Sequence, residues 1–297
     1  MNRMNIYPYI SITRPINSIL SGITPIIAYI IAGGTHLDVA IPLFFIVMTI
    51  CGAGNVINDY FDRDIDAINR PDRPIPSGTI SSKNAVIWAI FLFCIGVAIS
   101  IFFTNLWGIL IAVINSILLI VYSLKLKRIA YIGNVLVAYL AGSTFILGWI
   151  CSNTDDLLLT STQIGSLWVI VPLFGITFFG TLAREILKDI EDIDGDDVGG
   201  NAKTLPMIIG IRMSCINAII MVICATLISI IPYMRWGLFY LILVVIFDIY
   251  IVYVVYRSLF CKNSQELIKL VTTTKMKIGM FCVLFLFLGM EIMYKCL

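Results

Sequence analysis

Long apolar runs separated by short polar breaks dominate the chain. They fall at about 15–33, 40–58, 85–103, 107–122, 131–150, 167–187, 213–231, 237–256 and 277–294. Each approaches the roughly 20 residues that a helix needs to cross a bilayer, and lipid forces the backbone to satisfy its own polar groups as helices do. The pattern predicts an all-α, polytopic membrane protein with nine transmembrane helices. No stretch has the composition of a soluble linker, so residues 1–297 read as a single domain.

Composition agrees. Of 297 residues 60% are hydrophobic, mean hydropathy is +0.99, and only 13% are charged. A soluble protein needs about a quarter of its residues charged. The net charge of +2 gives no basic surface of the kind nucleic acid requires, and nothing implies an obligate protein partner. Eight cysteines are scattered, mostly inside apolar runs, without a C-x-x-C pair, and one histidine is present, so the cysteines read as packing residues rather than metal ligands.

The basic residues orient the chain. Eighteen of the twenty Lys and Arg lie at the N-terminus or in the breaks after runs two, four, six and eight, and only Arg235 and Lys295 lie on the other side. By the positive-inside rule the N-terminus is cytosolic and the C-terminus outside, in the cell membrane.

The acids are concentrated instead of spread. Twelve of eighteen fall in two clusters, Asp59 to Asp72 and Glu185 to Asp197, where runs two and six reach the cytosolic face. Asp59, Asp62 and Asp66 recur 130 residues later as Asp189, Asp192 and Asp196; Asp64 recurs as Asp194, and Asn55 corresponds to Glu185. At about 100° per residue, positions i, i+3 and i+7 share an arc of roughly 60°, so each trio makes an acidic stripe if its helix continues past the membrane edge. Asp64 and Asp194 sit about 140° away from those stripes. Like charges on one face repel, and the C-terminal end of a helix disfavours anions, so something cationic must offset them. Mg²⁺, with oxygen ligands, is the natural candidate. Arg63, Arg70 and Arg73 interleave with the first cluster, Arg184 and Lys188 precede the second, and Tyr122-Ser123-Leu124-Lys125-Leu126-Lys127-Arg128 ends run four on the same side. Carboxylates for metal beside Arg and Lys for phosphate oxygens suit a diphosphate.

The run N-D-Y-F-D-R-D-I-D at 58–66, followed by N-R-P-D-R-P-I-P-S-G at 69–78, resembles the first aspartate-rich motif of the UbiA-type intramembrane prenyltransferases. R-E-I-L-K-D-I-E-D-I-D-G-D-D at 184–197 resembles their second. The resemblance covers the whole chain and implies nine helices with both motifs on the cytosolic side. It implies that Asp59, Asp62, Asp66, Asp189, Asp192 and Asp196 hold two Mg²⁺ ions on the diphosphate of a prenyl donor, with Asn55 and Asn58 nearby. Tyr122, Ser123, Lys125, Lys127 and Arg128 resemble the family segment that grips the same diphosphate, and Lys188 joins them. Within the family, the motif forms are most similar to members that attach a second geranylgeranyl chain to geranylgeranylglyceryl phosphate in archaeal ether-lipid synthesis. Members that prenylate aromatic acceptors share much of the pattern and are the alternative.

The acceptor in the first reading is an alcohol carrying a phosphate. Arg14, Arg70 and Arg73 are the cations available for that phosphate, and Asn17 is placed to hydrogen-bond the glycerol. Tyr60, Phe61, Tyr139 and Trp149 are candidate neighbours for an allylic cation. Asp248, an acid inside run eight, is expected to hydrogen-bond a neighbouring helix and to lie outside the site. A cation transporter is the rival from another class, disfavoured because the acids sit at helix ends and among Arg and Lys.

Overall fold

The computed structural model describes residues 6–153, 159–193, 204–261, 266 and 276–296. Among these there is no strand. The helices are α1 (Tyr7–Ser11), α2 (Pro15–Ile31), α3 (Leu37–Phe61), α4 (Arg63–Asn69), α5 (Ser82–Phe103), α6 (Leu106–Leu124), α7 (Ile132–Ile150), α8 (Ser161–Glu191), α9 (Leu205–Ile209), α10 (Ile211–Ser229), α11 (Tyr233–Tyr256) and α12 (Lys277–Cys296), with single 3₁₀ turns at Leu126–Arg128 and Arg257–Phe260. Seven of them, α3, α5, α6, α7, α8, α10 and α11, are long and apolar enough to cross a membrane; α2 is an apolar helix of 17 residues.

Local chemistry sets the ends. The side chains of Ser81 and Asn105 accept the backbone N–H of Asn84 and Gly108 at the starts of α5 and α6. Thr160 and Gln163 form a reciprocal capping box at the start of α8, which therefore begins six residues before the apolar run at 167 that predicts it. Helix α3 likewise outlasts its run and ends at Phe61, but the stripe then breaks at Asp62 before α4 carries Asp66.

The surface is the reverse of a soluble protein's. Phe91, Phe102, Trp107, Trp168, Phe239 and Ile246 all point outward, an arrangement that lipid stabilises and water does not. The protein is a multi-pass membrane protein.

Packing repeats the sequence offset. Helix α3 packs against α2, α5 and α6; α8 packs against α7 and α10; α10 packs on α11; and α2 on α7 joins the two groups. Displaced by 130 residues, α3 falls on α8, α5 on α10 and α6 on α11, so the duplication seen in the acidic motifs extends across most of each half. Close approach needs small residues: a Cβ at Gly22 would lie 2.8 Å from the Phe44 carbonyl oxygen, and one at Gly148 would collide with the backbone of Pro25. Helix α12 contacts both α11 and α2. The helices thereby surround a central cavity of about 450 Å³.

Candidate active site

The acidic residues gather at one end of the bundle. Asp62 caps α3 with φ −91° and ψ −2°, its N–H donating to the Asn58 carbonyl; Asp192 caps α8 with φ −88° and ψ 0°, its N–H donating to that of Lys188. The repeat thus holds down to single torsions. Asp59 and Asp66 are buried, whereas the Asp64 side chain is 85% exposed, as the stripe geometry requires. Asp196 and Asp194 lie outside the described residues.

Each described carboxylate of the two stripes has a donor. Arg14 Nη2 reaches Asp59 Oδ1 at 2.6 Å and Arg73 Nη1 reaches the same oxygen at 3.2 Å, while Arg73 also bonds Asp66. Asn58 Nδ2 donates to Asp62 at 2.9 Å, and Lys127 is ion-paired with it. Asn134 Nδ2 donates to Asp189 at 2.8 Å, and Arg70 Nη2 bridges from the first motif's loop to Asp192 at 3.2 Å. Glu185 is paired with Arg184 and Lys188. The repulsion inferred from sequence is therefore offset within the chain, by side chains that a phosphate could attract in turn. Burial pushes the Lys127 ammonium below its ordinary range, opposed by the Asp62 charge; burial also raises the Asp66 carboxyl, opposed by Arg73.

Backbone geometry contributes. Arg14 has φ +51° and ψ +66°, left-handed backbone that a non-glycine residue adopts at a cost, and the following Pro15 disfavours the right-handed helical alternative. The loop carrying Arg70 and Arg73 is pinned by Ile75 and Ile80, buried in the core against α3 and α5, and turns at Gly78 with φ +75°.

The predicted residues separate into groups. Arg14, Asn17, Asn55, Asn58, Tyr122 and Lys188 line the cavity, and Asn55 also donates to the Thr13 carbonyl at 3.1 Å. Arg70 and Arg73, predicted to meet the acceptor, are held by carboxylates at the rim. Of the basic segment after α6, Lys127 turns into the acidic cluster while Lys125 and Arg128 are exposed; Ser123 is buried and bonds back to the Leu119 carbonyl. Asp248 accepts from Ser229 of α10 at 2.6 Å, a bond to a neighbouring helix, and it also lines the cavity wall. Tyr60, Phe61, Tyr139 and Trp149 do not line the cavity; Tyr122, Phe145, Phe247 and Phe287 do. Sequence reasoning passed over Asn134, Asn115 and Thr181, single polar residues in apolar runs, for which no pattern signals a role.

The cavity changes character along its length. Arg14, Asn58, Tyr122, Glu185 and Lys188 mark its polar mouth, and Phe145, Leu147, Ile176, Val283, Leu284 and Phe287 form apolar wall. Such a space accepts an amphiphile with an anionic head and a hydrocarbon tail. Among the described residues no three acidic, His or Cys side chains converge on one point. Their oxygens are nonetheless the hard ligands that Mg²⁺ prefers, and Asn58 Oδ1, at the other end of the amide that holds Asp62, is a buried acceptor with no partner.

Similarity to known proteins extends over nearly the whole chain. The chain is 42% identical over 285 residues to the digeranylgeranylglyceryl phosphate synthase of Methanospirillum hungatei, covering 96% of this chain and 98% of that one. It is 43% identical, over the same shares, to that of Methanoculleus marisnigri. A solved structure described as giving insight into digeranylgeranylglyceryl phosphate synthase in membranes superposes with a TM-score of 0.73 at 33% identity, covering 97% of this chain and 98% of that chain. A UbiA homologue from Archaeoglobus fulgidus, bound to DMAPP and Mg²⁺, superposes with a TM-score of 0.72 at 17% identity, covering 96% and 98%. The sequence pattern of the UbiA prenyltransferase family matches residues 21–285. With two acidic motifs, a duplicated helical frame and a cavity joining them, the chain belongs to the UbiA prenyltransferase family.

Proposed function

We propose that this protein catalyses Mg²⁺-dependent transfer of a geranylgeranyl group from geranylgeranyl diphosphate to the glycerol hydroxyl of geranylgeranylglyceryl phosphate. The observation that carries this reading is identity of 41 to 43% to three digeranylgeranylglyceryl phosphate synthases over 96% of the chain. The whole chain acts as one intramembrane domain. All nine apolar runs cross the membrane, including α2 and α12, with the N-terminus and the acidic rim in the cytosol and the C-terminus outside; the distribution of Lys and Arg supports this.

In the reaction the bond between the allylic carbon and the diphosphate oxygen breaks, an ether bond forms to the glycerol oxygen, and the hydroxyl proton leaves with the diphosphate. Asp59, Asp62, Asp66, Asp189, Asp192 and Asp196 would hold two Mg²⁺, which would supply positive charge to stabilise the departing diphosphate. Lys127 and Lys188, with Tyr122, Asn55 and Asn58, meet the same diphosphate, and its phosphates exchange places with the carboxylates that now hold the two lysines. The prenyl tail lies along Phe145, Ile176 and Phe287, which exclude water from the allylic centre. Arg14 and Asn17, at the cavity mouth, meet the acceptor. Arg70 and Arg73 hold Asp192, Asp59 and Asp66 in register.

Purified protein in detergent, with labelled geranylgeranyl diphosphate and Mg²⁺, should prenylate geranylgeranylglyceryl phosphate and stop on addition of EDTA. Prenylation of 4-hydroxybenzoate in its place would replace the ether-lipid reading with the aromatic one. No transfer to either, with cation flux in vesicles, would favour the transporter.

A further inference from the structure

Among the described residues seven buried side-chain oxygens lack a hydrogen-bond partner, and three of them belong to residues lining the cavity: Asn58, Asn115 and Thr181. Asn58 belongs to the rim already described. The other two have no part in it. Such groups are uncommon because leaving one buried and unpaired is costly, so each calls for a reason.

Their surroundings make the pattern specific. Thr24, Thr144 and Thr226, also on the cavity, satisfy their hydroxyls on the carbonyls of Leu20, Ala141 and Ile223, the usual resort of a helical threonine. Thr181 on α8 is only 4% exposed and makes no such bond. On α6, Asn115 Nδ2 donates to Ser143 Oγ at 2.9 Å, and Ser143 donates onward to the Leu140 carbonyl at 2.9 Å. That relay fixes the amide, so its remaining oxygen, Oδ1, is an acceptor waiting for a donor.

Depth points to the ligand. Thr181 lies one helical turn, about 6 Å, below Glu185, and Asn115 two turns, about 10 Å, below Tyr122; α6 and α8 both run toward the rim. The layer beneath the charged mouth is where the reacting end of a donor would sit if its diphosphate occupies the rim. A hydrocarbon there offers no hydrogen bond, whereas an alcohol does. We infer that Asn115 and Thr181 form a binding site for the acceptor's hydroxyl group, Asn115 Oδ1 accepting its O–H and Thr181 bonding the alcohol oxygen. The inference rests on the proposed prenyl transfer to an alcohol. The amide takes no proton; it turns the oxygen lone pair toward the allylic carbon.

An unpaired group kept for a ligand leaves a double signature. Removing it relieves the resting protein while weakening the substrate complex. Thr181→Val should keep or raise the melting temperature and raise the acceptor KM about tenfold, with donor KM unchanged, and Thr181→Ser should restore acceptor KM. Asn115→Leu should raise acceptor KM similarly, and Ser143→Ala, which frees the amide to turn, should do so by a smaller factor. Unchanged acceptor KM in both Thr181→Val and Asn115→Leu, in an enzyme whose parent prenylates geranylgeranylglyceryl phosphate, would overturn the site and leave the reaction standing. A fall in melting temperature of Thr181→Val with KM unchanged would make Thr181 a packing residue. A parent that prenylates no alcohol would overturn the reaction itself.

Discussion

Charge is handled in opposite ways at the two ends of the bundle. At the rim, Asp59 shares Arg14 and Arg73, Arg73 is divided between Asp59 and Asp66, and Lys127 and Arg70 serve Asp62 and Asp192 from partly open positions. At the far end one carboxylate, Glu291 of α12, is fully buried and saturated. It accepts from Arg235 Nε at 2.9 Å and Nη2 at 2.7 Å, and from Trp236 Nε1 at 3.0 Å, while the Arg235 guanidinium stacks 4.5 Å over Tyr294. A saturated, buried, bidentate pair has no capacity left for a ligand. A set of shared cations at a cavity mouth can change partners. The first fixes helices, and the second is suited to chemistry.

The comparison breaks most sharply through the rim carboxylates. Asp59→Ala, Asp62→Ala, Asp189→Ala and Asp192→Ala should each lower turnover by about a thousandfold, while the protein stays monodisperse in detergent. Wild-type turnover in any of these variants at saturating Mg²⁺ would remove that residue from the metal site.

The far end should respond in the converse way. Glu291→Gln strands the Arg235 charge, and loss of one partner of a buried pair costs about 3–5 kcal/mol. The melting temperature should drop by about 10 °C, with turnover per folded molecule retained. Restoration of stability in a double variant replacing both Arg235 and Glu291 by apolar residues would identify the stranded charge as the cause. A loss of turnover without loss of stability would mean that the two ends are not separate in function.

The smallest expected effect tests the face argument. Asp64 is exposed beside Arg63, so Asp64→Asn should stay within about 0.5 kcal/mol in stability and about twofold in turnover, where Asp62→Asn should not. Equal losses at the two positions would show that the stripe does not organise this segment.

Much of this was legible in the sequence because membrane helices advertise themselves. The apolar run at 40–58 lies inside α3, which extends beyond it at both ends, and that at 107–122 lies inside α6, whose start is set by the Asn105 cap. The 130-residue offset was visible in the acids, and the fold extends it to α5, α6, α10 and α11. Partner choice was not legible. Arg70 meets Asp192 across 122 positions, and Arg73 doubles back 14 positions to Asp59; composition shows only that cations are near. An acidic stripe alone implies an outside cation, whereas the chain also supplies its own in Arg14, Arg70 and Arg73. Glu291 gave no signal, because an acid near the end of an apolar run looks like any helix reaching water. Asn115 and Thr181 were silent for a related reason: a polar residue in a membrane helix becomes informative only when its bonds can be counted.

The bond from Lys295 Nζ to the Ile30 carbonyl, 2.7 Å long and spanning 265 positions, bears on the order of assembly. Together with Arg235 of α11, which pairs with Glu291 and whose Nη2 reaches the Ile31 carbonyl at 3.4 Å, it seats α12 and α11 against the end of α2. With α12 undocked, the space it fills would be open to lipid, and acyl chains are as good a solvent for Val283, Leu284 and Phe287 as the protein wall is. Expelling those chains gains nothing from hydrophobicity. The polar contacts at the far end can supply the bias that apolar burial cannot, so closure of the barrel-like wall is an electrostatic event in a medium where greasy surfaces have no preference for one another.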